Sequence, residues 1–256
     1  MKKLYAEVTP HKVNVFTTKS KRNIVSCDLP LDENTLYKGK TGVLVANVRQ
    51  TSIRVVDIDK KPAQGELGLF LQRIRKSEPL SRWDLVKLAF PIGEKMNENT
   101  HIFDGAVFTN TNGAMCFFIM ALPISIADEI ADTGLALFGS PYKLQCLDTV
   151  EHILFRCYAK QGADALLVVF PQDGGLRVLF LTDGLPRAAW HVSNNPQFRE
   201  EEILRCLRAS AENEETALKR AVALNTDMDL QWLYTFLKGQ GVEVEKENYC
   251  LRDFVK

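Results

Sequence analysis

The stretch "ADALLVVFPQDGGLRVLFLTDGLPRAAWHVS", residues 163–193, decides how the rest of the chain is interpreted. Three apolar runs are separated by short segments rich in Asp, Gly and Pro, which predicts three consecutive strands joined by tight turns. The residues that follow predict a helix at 195–212, a strand at 217–225, a helix at 228–241 and a strand at 242–246. The second half of the chain is therefore expected to form one mixed α/β unit.

The first half predicts a similar order of elements with an insertion. Three short strands are expected within residues 4–28, a hairpin at 103–123, a helix at 125–137, a strand at 142–148 and a helix at 149–160. Between them, the sequence predicts two strands within 42–59, a helix at 64–77 and a strand at 83–92. The hairpin has Asn112 and Gly113 at its turn, which is a strong local signal.

Two similar units in one chain predict an internally duplicated, two-lobed α/β fold with mixed sheets. We assign residues 1–160 to an N-terminal lobe with an inserted subdomain at about 41–122, and residues 161–256 to a C-terminal lobe. No low-complexity linker separates these ranges, so the lobes are expected to pack directly.

The composition argues against several classes of function. The 256 residues include 32 basic and 32 acidic side chains, so no overall field attracts the chain to nucleic acid. The six cysteines are scattered without a Cys-x-x-Cys pair, which is typical of a reducing, cytoplasmic location. No run reaches the ~18 apolar residues of a membrane span. We therefore expect no direct membrane insertion, and any membrane contact to go through a partner.

At this point the ordered segments resemble a known family. They are "YAEVTPHKVNVF", "VLVANVRQTSIRVVDIDKKPAQGELGLFLQRIRK", "FFIMALPISIADEIADTGLALFGSPYKLQCLDTVEHILFRCYA" and "ALLVVFPQDGGLRVLFLTDGLPRAAWHVS". Together they resemble the PilM-like and GspL-like cytoplasmic proteins of type IV pilus assembly and type II secretion. The resemblance implies an actin-type, ribonuclease H-like fold at an inner-membrane assembly platform. It also implies binding to a peptide segment of a platform protein, or to an assembly ATPase.

An actin-type nucleotide site needs an acid and a glycine in each of two hairpins, because the acids hold magnesium and the glycines let backbone N–H groups approach the phosphates. In the first hairpin, Glu7 is the nearest acid, no glycine follows, and Pro10 lacks a donor N–H. In the second hairpin, the best register places Phe170 at the acid position and Gln172 at the glycine position. A shifted register uses Asp173 and the two glycines after it, and fits a plain hairpin better.

The third expected feature is a glycine pair after the strand at 217–225. The chain has "NTDMD" there instead, and Asn225 and Asp227 are more typical of a helix N-cap than of an adenine platform. We therefore predict a vestigial nucleotide cleft near Glu7, Gln172, Asp173, Asn225 and Asp227. This interpretation includes no catalytic residue, no metal and no cofactor, and it leaves weak ATP binding without turnover open as an alternative.

Other side chains support no rival chemistry. Cys146, His152 and Cys157 lack an apparent fourth zinc ligand, so we interpret them as buried thiols beside a helix histidine. No Gly-x-Ser-x-Gly segment marks a hydrolase. The basic turn at 19–22 and the helix cations Arg73, Arg75 and Lys76 could dock an acidic peptide or belong to solvated faces.

The sequence thus favours a non-catalytic, actin-like scaffold that recruits a membrane partner through the N-terminal lobe. The partner peptide is expected to extend an exposed strand edge or to fill an apolar slot. The alternative is an ATPase, or a small-molecule kinase of the hexokinase type, in which Glu7 and Asp173 direct the metal.

Overall fold

The computed structural model describes most of the chain. It describes residues 4–17, 25–31, 37, 40–57, 76, 96–97, 99–140, 144–161, 165–212, 218–225, 229–248 and 251–255. The helix expected at 64–77 (apart from position 76), the strand expected at 83–92 and the basic turn at 19–22 lie outside the described residues.

The described strands and helices follow the expected order. The strands are β1 (Leu4–Val8), β2 (Lys12–Phe16), β3 (Val25–Asp28), β4 (Gly42–Ala46), β5 (Ser52–Asp57), β6 (His101–Thr109), β7 (Met115–Pro123), β8 (Leu144–Thr149), β9 (Ala165–Gln172), β10 (Gly175–Thr182), β11 (Leu185–Ser193), β12 (Arg220–Asn225) and β13 (Glu243–Asn248). The helices are α1 (Ile124–Phe138), α2 (Val150–Ala159), α3 (Arg199–Glu212) and α4 (Gln231–Gly239), and a short 3-10 helix spans Leu251–Asp253. In the described residues, no helix is long and apolar enough to cross a bilayer.

Two five-stranded sheets have the same topology. The first has the order β3-β2-β1-β4-β8 and the second the order β11-β10-β9-β12-β13. In each, the first three strands in chain order form an antiparallel meander and the last two run parallel to the first of them. The two halves of the chain are therefore structural repeats, as the element order predicts. Strand β4, which lies inside the range 41–122 that we assigned to the insertion, pairs with β1 in this sheet.

The three-stranded antiparallel sheet β5-β7-β6 is formed by the residues between β4 and α1. It lies against β11 of the second half. Arg187 on β11 reaches Asp57 on β5, with 3.3 Å between guanidinium and carboxylate, and the Cys116 thiol donates to the Pro186 carbonyl at 3.4 Å. This smaller sheet therefore contacts both halves of the chain.

Helix α2 lies in the core between the two larger sheets. Its apolar side chains, such as Phe155, share one buried cluster with Val45 on β4 and Val168 on β9. Alternate residues of β9, such as Leu167 and Val169, face α3 and α4 on the other side of the second sheet. Strand β9 is buried on both faces, which explains its continuous apolar run.

The start of α2 is fixed locally. The Thr149 side chain accepts a hydrogen bond from the His152 N–H at 3.3 Å, and Glu151 lies in the first turn. An N-cap threonine and an acid in the first turn both stabilise a helix N-terminus. The same arrangement points Glu151 into the space between the lobes.

Candidate functional site

The first hairpin turn, Thr9 to Lys12, uses its own backbone donors. The Thr9 N–H bonds to the Lys12 carbonyl at 2.9 Å, and the Lys12 and His11 N–H groups approach the Thr9 hydroxyl at 3.0 and 3.4 Å. Pro10 has no N–H to donate. All the N–H groups of this turn are thus satisfied inside it, and none is left to bind a phosphate oxygen.

Glu7 lies at the end of β1 and is held by two amides. Asn47, directly after β4, donates to Glu7 Oε1 at 2.9 Å, and Asn14 on β2 lies 3.5 Å from Oε2. The Asn47 backbone N–H also bonds to the Val8 carbonyl at 2.9 Å. Glu7 is only 5% exposed. The carboxylate that could direct a metal is therefore already bound by protein donors.

The second hairpin is a plain two-residue turn. Gln172 pairs with Gly175, and Asp173 and Gly174 between them have φ angles of 43° and 74°. Positive φ at both central residues is the geometry of a hairpin turn of type I′. The Asp173 carboxylate lies 3.6 Å from the Arg49 guanidinium, across the cleft. Asp173 thus meets a cation from the first half of the chain.

Gln172 connects the two halves through its side-chain amide. Its Nε2 donates to Asn47 Oδ1 at 3.2 Å and to Glu151 Oε1 at 3.1 Å. Because Asn47 uses its own N–H₂ group on Glu7, its oxygen is the atom that accepts from Gln172. A chain of hydrogen bonds therefore runs from Glu7 at one hairpin to Gln172 at the other.

Arg177 adds a buried ion pair to this chain. Its Nε lies 3.1 Å from Glu151 Oε1, and its Nη2 donates to the Thr51 carbonyl at 2.9 Å. Glu151 is fully buried and Arg177 is 4% exposed. We call this set of buried polar residues the interlobe network. It comprises Glu7, Asn47, Thr51, Glu151, Gln172 and Arg177.

Three buried atoms of the interlobe network have no hydrogen-bond partner among the described residues. They are Glu151 Oε2, Gln172 Oε1 and Arg177 Nε, whose approach to Glu151 is not aligned as a hydrogen bond. The set contains two acceptors and one donor. The described side chains therefore satisfy most, but not all, of the polar atoms in the network.

His191 lies beside the second hairpin. Its Nε2 is 3.4 Å from the Gln172 carbonyl oxygen. Burial lowers the pKa of His191 below its ordinary value, and the Arg177 and Arg49 charges lower it too, outweighing the opposite effects of the Gln172 carbonyl and Asp173. The imidazole is therefore neutral at pH 7.

The third predicted feature is only partly described. Asn225 ends β12, paired with Asn248 of β13, and Asp227 lies outside the described residues. Just before α4, the Asp229 carboxylate accepts the Gln231 N–H at 2.9 Å. The N-cap interpretation of Asn225 and Asp227 stays a prediction.

The histidine of the Cys/His cluster has an acid partner. His152 Nδ1 lies 2.9 Å from Asp148, and its ring stacks on Phe118 at 5.5 Å between centroids. Burial alone would raise the pKa of Asp148, but His152, the Thr149 N–H and Arg156 lower it overall. Within the described residues, no group of three or more His, Cys, Asp or Glu side chains could hold a metal.

The structure joins Glu7 to Gln172 through Asn47, places Asp173 in the turn after Gln172, and adds residues that we did not predict. Asn47, Glu151 and Arg177 are polar or charged side chains inside or beside apolar runs. That signal is visible in "GLRVLFL" around Arg177, where a charge interrupts a strand. The pattern does not identify the partners, since Arg177 meets Thr51 and Gln172 meets Asn47 across more than 100 positions of the chain.

Comparisons with known proteins show the fold. Neither a protein-family model nor a curated protein matches the chain. A solved Bacteroides thetaiotaomicron protein with an actin-like ATPase fold and unknown function is 9% identical, with a TM-score of 0.60 over 99% of this chain and 95% of that one. A PilM–PilN type IV pilus biogenesis complex contains a chain that is 13% identical, with a TM-score of 0.61 over 97% and 88%. The chain therefore has a two-lobed, actin-like α/β fold.

Proposed function

We propose that this chain is a non-catalytic, PilM-like scaffold in which the interlobe network occupies the position that a nucleotide takes in actin-type enzymes. The observation that carries the proposal is the hydrogen-bonded path from Glu7 through Asn47 to Gln172. A triphosphate between the hairpins would break these buried bonds and leave their donors and acceptors unpaired. Each such loss costs about 1–3 kcal/mol.

Charge also argues against a triphosphate in this cleft. Glu7 and Glu151 are both buried between the hairpins. The described cation closest to Glu151 is Arg177, which already forms an ion pair with that carboxylate. The first hairpin offers no free backbone donor to balance an incoming anion. Phosphate binding depends on such donors and on a metal held by free acids.

The alternative, an ATPase or small-molecule kinase, makes a different prediction for Asp173. In that function Asp173 would serve the metal, whereas here it lies 3.6 Å from Arg49. The test measures magnesium-dependent phosphate release from ATP by the purified chain and by Asp173→Asn. We expect both to match buffer alone. Turnover in the original chain that Asp173→Asn abolishes would overturn the proposal.

As a scaffold, the chain would act on the cytoplasmic side of an inner-membrane pilus or secretion platform and bind a peptide segment of a platform protein, or an assembly ATPase. The PilM–PilN complex, a structure of similar fold, supports this partner class. We expect the chain to sediment with inner-membrane vesicles from its own organism, but not with liposomes of the same lipids or with protease-treated vesicles. Equal sedimentation with the liposomes would contradict recruitment through a protein.

A further inference from the structure

A groove runs along one side of α2, away from the interlobe network. Its volume is about 480 Å³. Tyr5 and Val43, near the beginnings of β1 and β4, line it together with Phe254 and Val255 at the end of the described chain. Val43 and Val255 are buried side chains. The floor of the groove therefore includes buried apolar side chains that are already in place. We call it the α2 groove.

Helix α2 and its C-cap contribute one continuous stripe to the α2 groove. Ile153, Arg156, Cys157 and Lys160 all line it, and their spacing of three, one and three residues is that of a single helix face. Ile153 is buried, whereas Arg156 and Lys160 are exposed. Cations therefore stand at the rim above an apolar floor.

The charges at this rim are not balanced. Asp148 also lines the groove, but its carboxylate already meets His152 at 2.9 Å, Arg156 at 3.1 Å and the Thr149 N–H at 2.8 Å. In the described part of the chain, no carboxylate lies within ion-pairing distance of Lys160. The rim thus carries an excess of positive charge, and Lys160 is available to an incoming anion.

We propose that the α2 groove docks a short partner peptide in which a large apolar side chain lies next to carboxylates. The apolar floor accepts the large side chain, and Lys160 with Arg156 selects the acids by charge complementarity. The proposal rests on the scaffold function only in requiring a protein partner. Glu151 and Lys160 lie nine residues apart on α2, a separation of about 14 Å along the helix, so a peptide here leaves the interlobe network intact.

The test uses methyl NMR spectra of the full chain with two synthetic peptides. The acidic probe is acetyl-Glu-Phe-Leu-Glu-amide, and the control replaces both glutamates with lysine. We expect the acidic probe, at concentrations up to several millimolar, to shift the methyl signals of Val43, Ile153 and Val255, and the lysine control to leave them unchanged. Lys160→Glu should weaken binding by about two- to fivefold, the equivalent of one exposed ion pair.

Lys238→Glu is the matched control, because Lys238 is an exposed lysine in the last turn of α4, outside the α2 groove. It should bind the acidic probe as the original chain does. The proposal is wrong if no groove methyl shifts, if both peptides shift them equally, or if Lys238→Glu weakens binding as much as Lys160→Glu. Shifts caused by raising the protein concentration alone would assign the groove to a second copy and also refute it. None of these results changes the phosphate-release assay, so the two proposals fail separately.

Discussion

Replacing Arg177 with methionine should destabilise the chain strongly, because it removes one partner of a buried ion pair. Arg177 is 4% exposed, and the Glu151 carboxylate that it faces at 3.1 Å is fully buried. Among the described side chains, Arg177→Met leaves that carboxylate with the Gln172 amide alone, and it also removes the donor to the Thr51 carbonyl. Methionine retains much of the side-chain volume, so the effect is mainly electrostatic.

The expected loss is about 3–5 kcal/mol of unfolding free energy, which is typical when one member of a buried ion pair is removed. In a chain of this size, 1 kcal/mol moves the thermal midpoint by about 2–4 °C, so Tm should fall by roughly 6–20 °C. The double variant Glu151→Gln, Arg177→Met carries no buried charge at this pair. It should be more stable than the sum of the single losses implies, by about 1 kcal/mol or more.

The assay is urea unfolding followed by circular dichroism, with Tm as a second readout. Arg205→Met is the matched control, since Arg205 pairs with Glu201 at 2.6 Å but both side chains are exposed, at 71% and 63%. Exposed pairs contribute about 0–1 kcal/mol. Two results would refute a stabilising role for the interlobe network. One is that Arg177→Met lowers the unfolding free energy no more than Arg205→Met. The other is that the losses from Glu151→Gln and Arg177→Met are additive in the double variant.

Two further outcomes follow from the same region. Gly175→Ala should cost about 1–3 kcal/mol of unfolding free energy, measured by urea unfolding, because the added methyl would lie 2.6 Å from the His191 ring and from a backbone oxygen. Gly239→Ala, with open space around the added methyl, should be neutral or stabilising, and equal losses in the two variants would refute the steric argument. Because folding lowers the pKa of His191 from its ordinary 6.5, the unfolded chain binds the proton first, and the free energy of unfolding should fall as pH drops below about 6.5. His191→Gln should reduce that fall, and an unchanged pH profile in this variant would contradict the prediction.

The order of elements could be predicted because each one is specified locally. The Asp-Gly turn after Gln172 and the Asn-Gly turn at Gly113 predict hairpins, and both hairpins form as expected. The duplication also follows from element order. Sheet membership is a long-range property, so the pairing of β4 with β1 could not be predicted from the order of elements alone.

The contacts across the cleft could not be predicted in the same way. The sequence pointed to Glu7, Gln172 and Asp173 because each interrupts a pattern that a nucleotide site requires. It contained no sign that Gln172 meets Asn47 and Glu151, because these contacts depend on how two distant hairpins and the start of α2 converge. A buried charge in a strand or an N-cap region shows only that a partner must exist.

The measurement that tests the central claim most directly is a thermal-shift titration of the purified chain with ATP and magnesium up to millimolar concentrations. A nucleotide present at about a hundred times its Kd adds roughly 2.7 kcal/mol to the folded state, equivalent to a rise of about 5–10 °C for a chain of this size. Because buried hydrogen bonds join Glu7 through Asn47 to Gln172, we expect Tm to stay within about 1 °C of the value without nucleotide. A saturable, magnesium-dependent rise of several degrees, lost in Asp173→Asn, would contradict the account and restore the enzyme interpretation.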